Sequence, residues 1–356
     1  MRVPSNELAC RTLFLQAEDN GRGPVLFGGS GERACREALP FVEGVPFPEM
    51  YLEFPLAGEP FLDVSMLYGK IKPGTRFASP AAAGTEAMLD WYAGISHDDG
   101  YKEISFGYEL DTKHSPPGPA GVHFQPRQHN GLVMPFCRAL GREDAGLLYT
   151  DLAARMPEGW PLSFFGLFRG RADAPLRVCG YMNIDEKQRC AEDPARLEAA
   201  FRRIGFTSYD DRMLSRIAAV LDASPATVDF QFDIYPDGTP GSVFALDVGF
   251  RTEQSEAIRS SFLDGPFAKV MNLFRSWGAA DDRWKMVSGI ALTRSVPVVD
   301  DEGNTRPFAL VIEPHWIKIR WNDAVLCPSK MYCLAQAGLT DPAARKESAA
   351  RGGKEP

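Results

Sequence analysis

Apolar and polar residues alternate in short runs along this chain of 356 residues. The runs come in pairs, and stretches with helical periodicity separate one pair from the next. The five pairs predict ten strands: 50–56 with 61–70, 102–111 with 120–125, 162–169 with 176–184, 227–235 with 243–251, and 284–295 with 308–321. Ten antiparallel strands with no strand left over favour a closed barrel, because closure removes the exposed edges of a sheet.

The helical stretches precede, separate and follow these pairs. They predict helices at 6–18, 32–43, 81–95, 131–142, 145–156, 194–204, 210–223, 254–263, 266–277 and 328–337. We therefore expect an α+β fold, in which a ten-stranded antiparallel β-barrel is surrounded by helices and has a lumen that can hold ligands. Residues 1–339 would form this single domain, with 1–45 as a helical lead-in. Residues 340–356 lack large apolar side chains, so we expect a disordered tail.

The alternation also predicts which face of each strand is the inner one. In the run 227–235, Val228 and Phe230 share an apolar face, whereas Asp229 and Asp233 share a polar face. The apolar face would pack against the helices and the polar face would line a hydrated lumen. The alternative is an ordinary two-sided sheet with its polar face in solvent. Aromatic residues such as Trp316 among the polar positions favour the barrel.

Charge and composition narrow the class of partner. The net charge is −8 and the pI is about 5.3, which disfavours a nucleic-acid binder. No apolar run approaches the roughly 18 residues of a spanning helix, and no signal peptide is visible, so we expect a cytoplasmic protein without a membrane partner. The seven cysteines are scattered without a CxxC and predict free thiols, and the five histidines show no metal-ligand spacing.

Four short segments resemble the cyanobactin peptide prenyltransferases. They are 39–43 (Leu-Pro-Phe-Val-Glu), 51–55 (Tyr-Leu-Glu-Phe-Pro), 106–111 (Phe-Gly-Tyr-Glu-Leu-Asp) and 121–124 (Gly-Val-His-Phe). The resemblance implies the ABBA prenyltransferase barrel, with an isoprenyl diphosphate and an acceptor in its lumen. The chain departs from that family where Gly121, Asp111 and the pair Ser65-Met66 occupy positions that are basic in the family.

Prenyl transfer requires cations around the diphosphate, aromatic faces around the allylic cation, and a carboxylate for the acceptor proton. From the resemblance, the catalytic carboxylate would be Glu53. The candidates for diphosphate binding are Arg177, Lys285, Lys318, Arg320, Tyr181 and Tyr235. The candidates for shielding the cation are Tyr51 and Trp316. The candidates for acceptor binding are Glu109, Asp229, Asp233 and His123.

The resemblance thus predicts a monomeric enzyme that moves a dimethylallyl or geranyl group from its diphosphate to a side chain of a ribosomally made peptide, linear or macrocyclic. Mg²⁺ would accompany the diphosphate, with no metal site built from the protein itself. Two alternatives stay open. One is an ABBA prenyltransferase of a small aromatic or indole metabolite. The other is a non-catalytic barrel that binds a ligand in a biosynthetic cluster.

Overall fold

A computed structural model describes residues 2–18, 22–112, 118–169, 175–225, 227–249, 265–300 and 302–339. The helix predicted at 254–263 and the tail at 340–356 lie outside the described residues. The α-helices within those ranges are α1 (Asn6–Glu18), α2 (Arg22–Phe27), α3 (Gly31–Val42), α4 (Glu86–Ile95), α5 (Val133–Ala139), α6 (Glu143–Arg155), α7 (Ile184–Glu192), α8 (Pro194–Ile204), α9 (Asp211–Ala223) and α10 (Pro266–Ser276).

The strands form one antiparallel sheet. They are β1 (Glu49–Pro55), β2 (Asp63–Tyr68), β3 (Ser105–Leu110), β4 (Gly121–Gln125), β5 (Leu162–Leu167), β6 (Leu176–Met182), β7 (Val228–Ile234), β8 (Pro240–Gly249), β9 (Leu292–Val299), β10 (Thr305–Asn322), β11 (Val325–Leu326) and β12 (Lys330–Leu339). Strands β1 to β8 pair in sequence order, β8 pairs with β10, β10 with β12, and β12 with β1. The predicted closed barrel of ten antiparallel strands is confirmed.

The identity of the tenth barrel strand differs from the prediction. The segment predicted as a helix at 328–337 is the strand β12, which fills the gap between β10 and β1. Its Met, Leu, Ala, Gln and Lys residues are good helix formers. However, both neighbouring edges need a partner, and Met331, Cys333 and Ala335 alternate on the buried outer face of the strand. Tertiary pairing therefore overrides local propensity here.

The run 284–295, predicted as a barrel strand, does not belong to the barrel. It begins as a 3₁₀ helix, Asp282–Gly289, in which Trp284 and Val287 are buried three residues apart, the spacing of one 3₁₀ turn. Strand β9 then pairs with the first part of β10, from Thr305 to Ile312, whereas Trp316–Asn322 of β10 pair with β8. Strand β9 therefore extends the sheet beyond the end of the barrel.

Helix boundaries follow from local capping chemistry. The Asp210 carboxylate accepts a hydrogen bond from the Met213 N–H at 2.7 Å and so begins α9. Asp193 caps α8 in the same way, with Pro194 at the first helical position, and the helix ends at Gly205, whose φ of +82° suits glycine. Phe201 of α8 packs against Phe244 on the apolar face of β8, with 4.8 Å between the ring centres, which places this helix outside the barrel.

The main core lies between the barrel and the helices. The outward residues of the strands are almost all apolar and buried, and they stack on helix residues such as Phe136 of α5, whose ring lies 4.2 Å from that of Phe124 on β4. All seven cysteines are free, as predicted. Within the described ranges, the helices are too short or too polar for any of them to cross a bilayer.

Candidate active site

Polar side chains occupy the inner face of the barrel, as the alternation predicted. Glu53, Asp63, Gln231, Asp233 and Asp247 all lie on barrel strands and are less than a tenth exposed. A buried carboxylate is costly unless a cation or a donor compensates it. Three basic side chains from three other strands provide that compensation, and together they define the site.

Lys330 of β12 joins two carboxylates on neighbouring strands. Its Nζ lies 2.5 Å from Glu53 Oε1 and 3.6 Å from Asp63 Oδ2. Glu53 and Asp63 stand opposite each other in the β1–β2 register. The Thr112 N–H also donates to Asp63, at 3.1 Å. We call Glu53, Asp63 and Lys330 the lysine triad.

The charges of the lysine triad compete with burial. Burial raises the pKa of Asp63 to about 7, the negative charge of Glu53 adds to that rise, and Lys330 offsets part of it. Burial acts to lower the pKa of Lys330, but Glu53 and Asp63 more than reverse this and raise it. Lys330 is therefore a permanent cation, whereas Asp63 can change its charge near neutral pH.

Lys318 of β10 forms a second cluster with residues of β7 and β8. Its Nζ donates to Gln231 Oε1 at 3.0 Å and lies 3.7 Å from Asp247 Oδ1. The Gln231 amide donates to Asp247 Oδ2 at 2.5 Å. Burial raises the pKa of Asp247 to about 6, although Lys318 opposes that shift. The cluster holds one cation against one buried carboxylate.

Arg177 of β6 forms a third pair with Asp233 of β7. Its Nε and Nη2 donate to the two carboxylate oxygens at 2.9 and 3.4 Å, and its guanidinium lies 4.4 Å from the centre of the Phe168 ring. Burial opposes the charge of Arg177, but Asp233 and Glu109 raise its pKa overall. Beside it, His123 Nε2 lies 3.0 Å from Glu109 Oε2.

Aromatic rings form one wall of the lumen next to the lysines. The Tyr51 and Trp316 ring centres are 4.5 Å apart, and those of Trp316 and Tyr332 are 5.3 Å apart. The Lys318 ammonium lies 4.8 Å from the centre of the Tyr332 ring. We call Tyr51, Trp316 and Tyr332 the aromatic wall. It presents negative ring faces beside the cations, an arrangement that can also stabilise a carbocation.

The three charge clusters meet at a cavity of about 70 Å³, enough for a few water molecules. The polar residues that line it are Glu53, Glu109, Arg177, Gln231, Asp233, Lys318, Arg320, Lys330 and Tyr332. Another cavity, of about 390 Å³, lies outside the barrel against α7 and α8, where Arg189 and Arg196 flank the buried Glu186. Of these two cavities in the described part of the chain, the smaller one holds the chemistry that the sequence predicted.

Most of the predicted site residues lie on the inner face of the barrel. Glu53, Arg177, Lys318, Arg320, Glu109 and Asp233 line the cavity, His123 pairs with Glu109, and Tyr51 and Trp316 belong to the aromatic wall. Asp229 lies opposite Asp247 and Tyr181 in the strand registers.

Three predicted diphosphate ligands lie elsewhere. Lys285 belongs to the 3₁₀ helix, is half exposed and pairs with Asp282 at 3.1 Å, so its predicted inner position is wrong. Tyr181 is 39% exposed, and Tyr235 is 37% exposed in the turn after β7; the residues that line the cavity include neither of them. The spacing that suggested an inward Lys285 depended on a strand that does not form there.

Sequence reasoning missed Lys330, Tyr332 and Asp63. The first two lie in β12, where helix-forming residues concealed an alternation of inward Lys330, Tyr332 and Leu334 with outward Met331 and Cys333. That two-residue period was the available signal. Asp63 begins β2 and faces Glu53, a contact that only strand pairing creates.

The described residues of the lumen are arranged for ion pairs and not for a metal centre. Within the described ranges, no group of three or more His, Cys, Asp or Glu side chains is arranged to hold a metal ion. The lumen carboxylates pair with Lys and Arg instead, and therefore do not fit a magnesium cage. Mg²⁺ that would arrive with a diphosphate stays a prediction.

No protein-family model and no curated protein matches this chain. Among solved structures, the 5-dimethylallyltryptophan synthase of Streptomyces coelicolor is similar, with a TM-score of 0.51, 13% identity, and coverage of 93% of this chain and 95% of that chain. Its complex with DMASPP and Trp gives a TM-score of 0.52, 13% identity, and coverage of 94% and 96%. The NotF prenyltransferase gives 0.50, 12% identity, and coverage of 96% and 100%. At these identities the likeness establishes the fold, which is the ABBA-type barrel.

Proposed function

We propose that this chain is a prenyltransferase that moves a dimethylallyl or geranyl group from its diphosphate to a small aromatic acceptor, such as an indole. One observation carries the proposal. Inside a closed ten-stranded barrel, the largely buried cations Lys318, Lys330 and Arg177 surround a cavity beside the aromatic wall and a buried carboxylate, Glu53. These are the three elements that the transfer of an allylic cation requires.

Each element has a defined task in the reaction. Lys318 and Lys330 neutralise the diphosphate as it leaves, since hydrogen bonds from cations to anionic oxygens are strong. The aromatic wall keeps water from the allylic carbon and stabilises its positive charge. Glu53 accepts a hydrogen bond from the acceptor, or its proton, as the new bond forms between the allylic carbon and the acceptor.

The comparisons favour an aromatic acceptor over a peptide. A dimethylallyltryptophan synthase shares the fold along nearly the whole chain, and one of its structures holds DMASPP and Trp. The peptide acceptor and the cyanobactin subtype rest on the short motifs alone. We therefore propose the small aromatic acceptor first and keep the peptide as an alternative substrate in the test.

The test is a direct assay of transfer. The purified chain is incubated with dimethylallyl or geranyl diphosphate and with tryptophan, indole or a mixed peptide pool, and products are detected by mass. Parallel reactions contain Mg²⁺ or EDTA, which tests the predicted metal requirement. We expect prenylated tryptophan or indole. Product from the peptide pool alone would restore the peptide acceptor, and no product with any acceptor would contradict the proposal.

A non-catalytic binding barrel is the second candidate, and a specific observation favours it. Lys318, Lys330 and Arg177 each lie within ion-pair distance of a carboxylate, and the cavity measures about 70 Å³. A site arranged for a ligand of lower charge would have these features. Calorimetry with dimethylallyl diphosphate, indole and tryptophan distinguishes the two, because a binding protein would retain a ligand without turnover.

The remaining expectations concern the state of the protein. We propose a monomer, because a single chain closes the barrel and supplies all the residues of the lumen described above. Light scattering after size-exclusion chromatography tests this. A cytoplasmic location likewise stays a prediction from the sequence.

A further inference from the structure

The lysine triad holds more negative than positive charge. Glu53 and Asp63 are 4% and 9% exposed, and they share one ammonium group at 2.5 and 3.6 Å. When both carboxylates are ionised, the net charge of the triad is −1. Lys330 also lines the cavity, so the same ammonium is one of the cations available to a ligand there.

Within the part of the chain that the structure describes, the groups around Asp63 do not supply another cation. From β3 and the residues after it, the Thr112 N–H donates to Asp63, and the charge of Asp111 acts against its ionisation. From β1, Glu53 does the same. From β12, Lys330 is, among the residues that the structure describes, the charged group that favours the ionised form of Asp63. Asp63 therefore depends on Lys330 for its counter-charge.

A bound diphosphate competes for that ammonium. When Lys330 turns to an anionic ligand, Glu53 and Asp63 are left facing each other in a buried site with a further negative charge nearby. Like charges this close and this buried do not both stay ionised. We infer that the lumen takes up one proton from solvent when a diphosphate binds, and that Asp63 is the carboxyl group that holds it.

Three observations select Asp63 among the lumen carboxylates. Asp63 is the more weakly paired of the two triad carboxylates, because it lies 3.6 Å from the Lys330 ammonium whereas Glu53 lies 2.5 Å from it. Asp247 keeps the amide of Gln231, which donates to it at 2.5 Å whether or not Lys318 moves. Burial already places the pKa of Asp63 at about 7, so the proton is taken up at little cost near neutral pH. Protonated Asp63 leaves Glu53 as the one ionised carboxylate of the lysine triad.

The inference rests on the proposed function, because it requires a diphosphate as the ligand. Its consequence is a defined pH dependence. Below about pH 7 the free protein already holds the proton, and binding is insensitive to pH. Above that value each pH unit lowers diphosphate affinity by about tenfold, until the higher pKa of the bound state is reached. Asp63 is thus a positioning residue that sets donor affinity through Lys330.

Calorimetry measures the proton directly. Inorganic diphosphate and dimethylallyl diphosphate are titrated into the full chain at pH 8 in three buffers with different ionisation enthalpies. The slope of the observed heat against buffer enthalpy gives the protons taken up. We expect a value near one for the wild type, and about a tenfold weaker affinity at pH 8.5 than at pH 7.5.

Asp63→Asn is the decisive variant, because it keeps the size of the side chain and removes the titration. We expect it to take up about one proton fewer than the wild type, and to change affinity less than twofold over the same pH range. Titration of the diphosphate itself is common to both proteins and cancels in the difference. Asp99→Asn, at a side chain that is 86% exposed, is the matched control and should behave as the wild type.

The outcomes separate this inference from the proposed function. Diphosphate binding with catalytic turnover but without proton uptake, or uptake that persists in Asp63→Asn, overturns the inference and leaves the function intact. No binding of either diphosphate and no product overturn both. If Asp63→Asn does not fold, the wild-type proton count and its pH-dependent affinity still decide whether a proton is taken up. In that case Asp247→Asn tests which carboxyl group holds the proton. Loss of proton uptake in that variant would overturn the assignment to Asp63.

Discussion

The lysine triad and the Arg177–Asp233 pair lie in the same lumen but are built differently. Arg177 contacts Asp233 through two nitrogens, one cation to one carboxylate, and lies over Phe168. Lys330 serves two carboxylates as a single point charge. A planar guanidinium paired in this way is fixed in place, whereas an ammonium on a flexible stem can change partners. The comparison indicates that the Arg177–Asp233 pair stabilises the barrel. Lys330, in contrast, can leave its carboxylates and bind a ligand.

Glu53→Gln should give the largest effect, because it removes the charge that acts on the acceptor. Loss of a general base typically lowers the rate by about 10²–10⁴. We expect that loss in turnover without a loss of donor affinity, since Lys330 is then freer to bind the diphosphate. Initial rates with the acceptor identified in the transfer assay provide the measurement. Wild-type turnover in this variant would remove Glu53 from the mechanism.

Arg177→Met sharpens the comparison from the arginine side. Removal of one partner of a buried ion pair leaves the other charge uncompensated, at a cost of about 3–5 kcal/mol in unfolding free energy. We expect a loss of that size in urea unfolding. The double variant Arg177→Met/Asp233→Leu should recover part of it, because no unpaired charge remains. Unchanged stability in Arg177→Met would show that the pair does not support the fold.

The pH dependence of stability tests Asp63 without any ligand. Its pKa is raised in the folded protein from 3.8 to about 7. A raised pKa means that the folded state holds the proton more tightly than the unfolded state. The resulting contribution of Asp63 to the unfolding free energy is fully present below about pH 4 and is lost as the pH rises to about 7. The unfolding free energy of the wild type should therefore fall relative to Asp63→Asn, by at most about 1.4 kcal/mol per pH unit in that window. A constant difference between pH 5 and pH 8 would contradict the raised pKa.

Lys318→Ala and Arg320→Ala should have the smallest effects, and they test the two cations of β10 separately. A hydrogen bond to a charged group contributes about 1.5–3 kcal/mol to binding. Lys318→Ala should therefore lower the affinity for dimethylallyl diphosphate by about tenfold or more. Arg320 is exposed at the cavity, where solvent screens its charge. Arg320→Ala should therefore lower the affinity for the diphosphate less than Lys318→Ala does. Calorimetry that shows unchanged affinity in both variants would place the diphosphate elsewhere.

The architecture could be predicted because it depends on local pattern. Alternation in 227–235 and 102–111 assigned the outer and inner faces of β7 and β3 correctly, since successive side chains on a strand always point to opposite sides. The same rule placed Arg177 and Lys318 in the lumen, whereas Glu53 was predicted there from the resemblance. The rule failed for Lys285, because its segment forms a 3₁₀ helix although its apolar pattern also fits a strand. The buried Trp284 and Val287, three residues apart, stabilise that helix.

The sequence by itself determined a barrel of paired strands, its polar interior and the charged residue types within it, because these follow from the two-residue period of a strand. Only the tertiary structure decided which segment closes the barrel and which charges meet. Strand β12 forms because the free edges of β1 and β10 require a partner, although its residues favour a helix. Its formation brings Lys330 to Glu53 across 277 positions of sequence. No local pattern encodes such a contact, because it arises from the closure of the sheet.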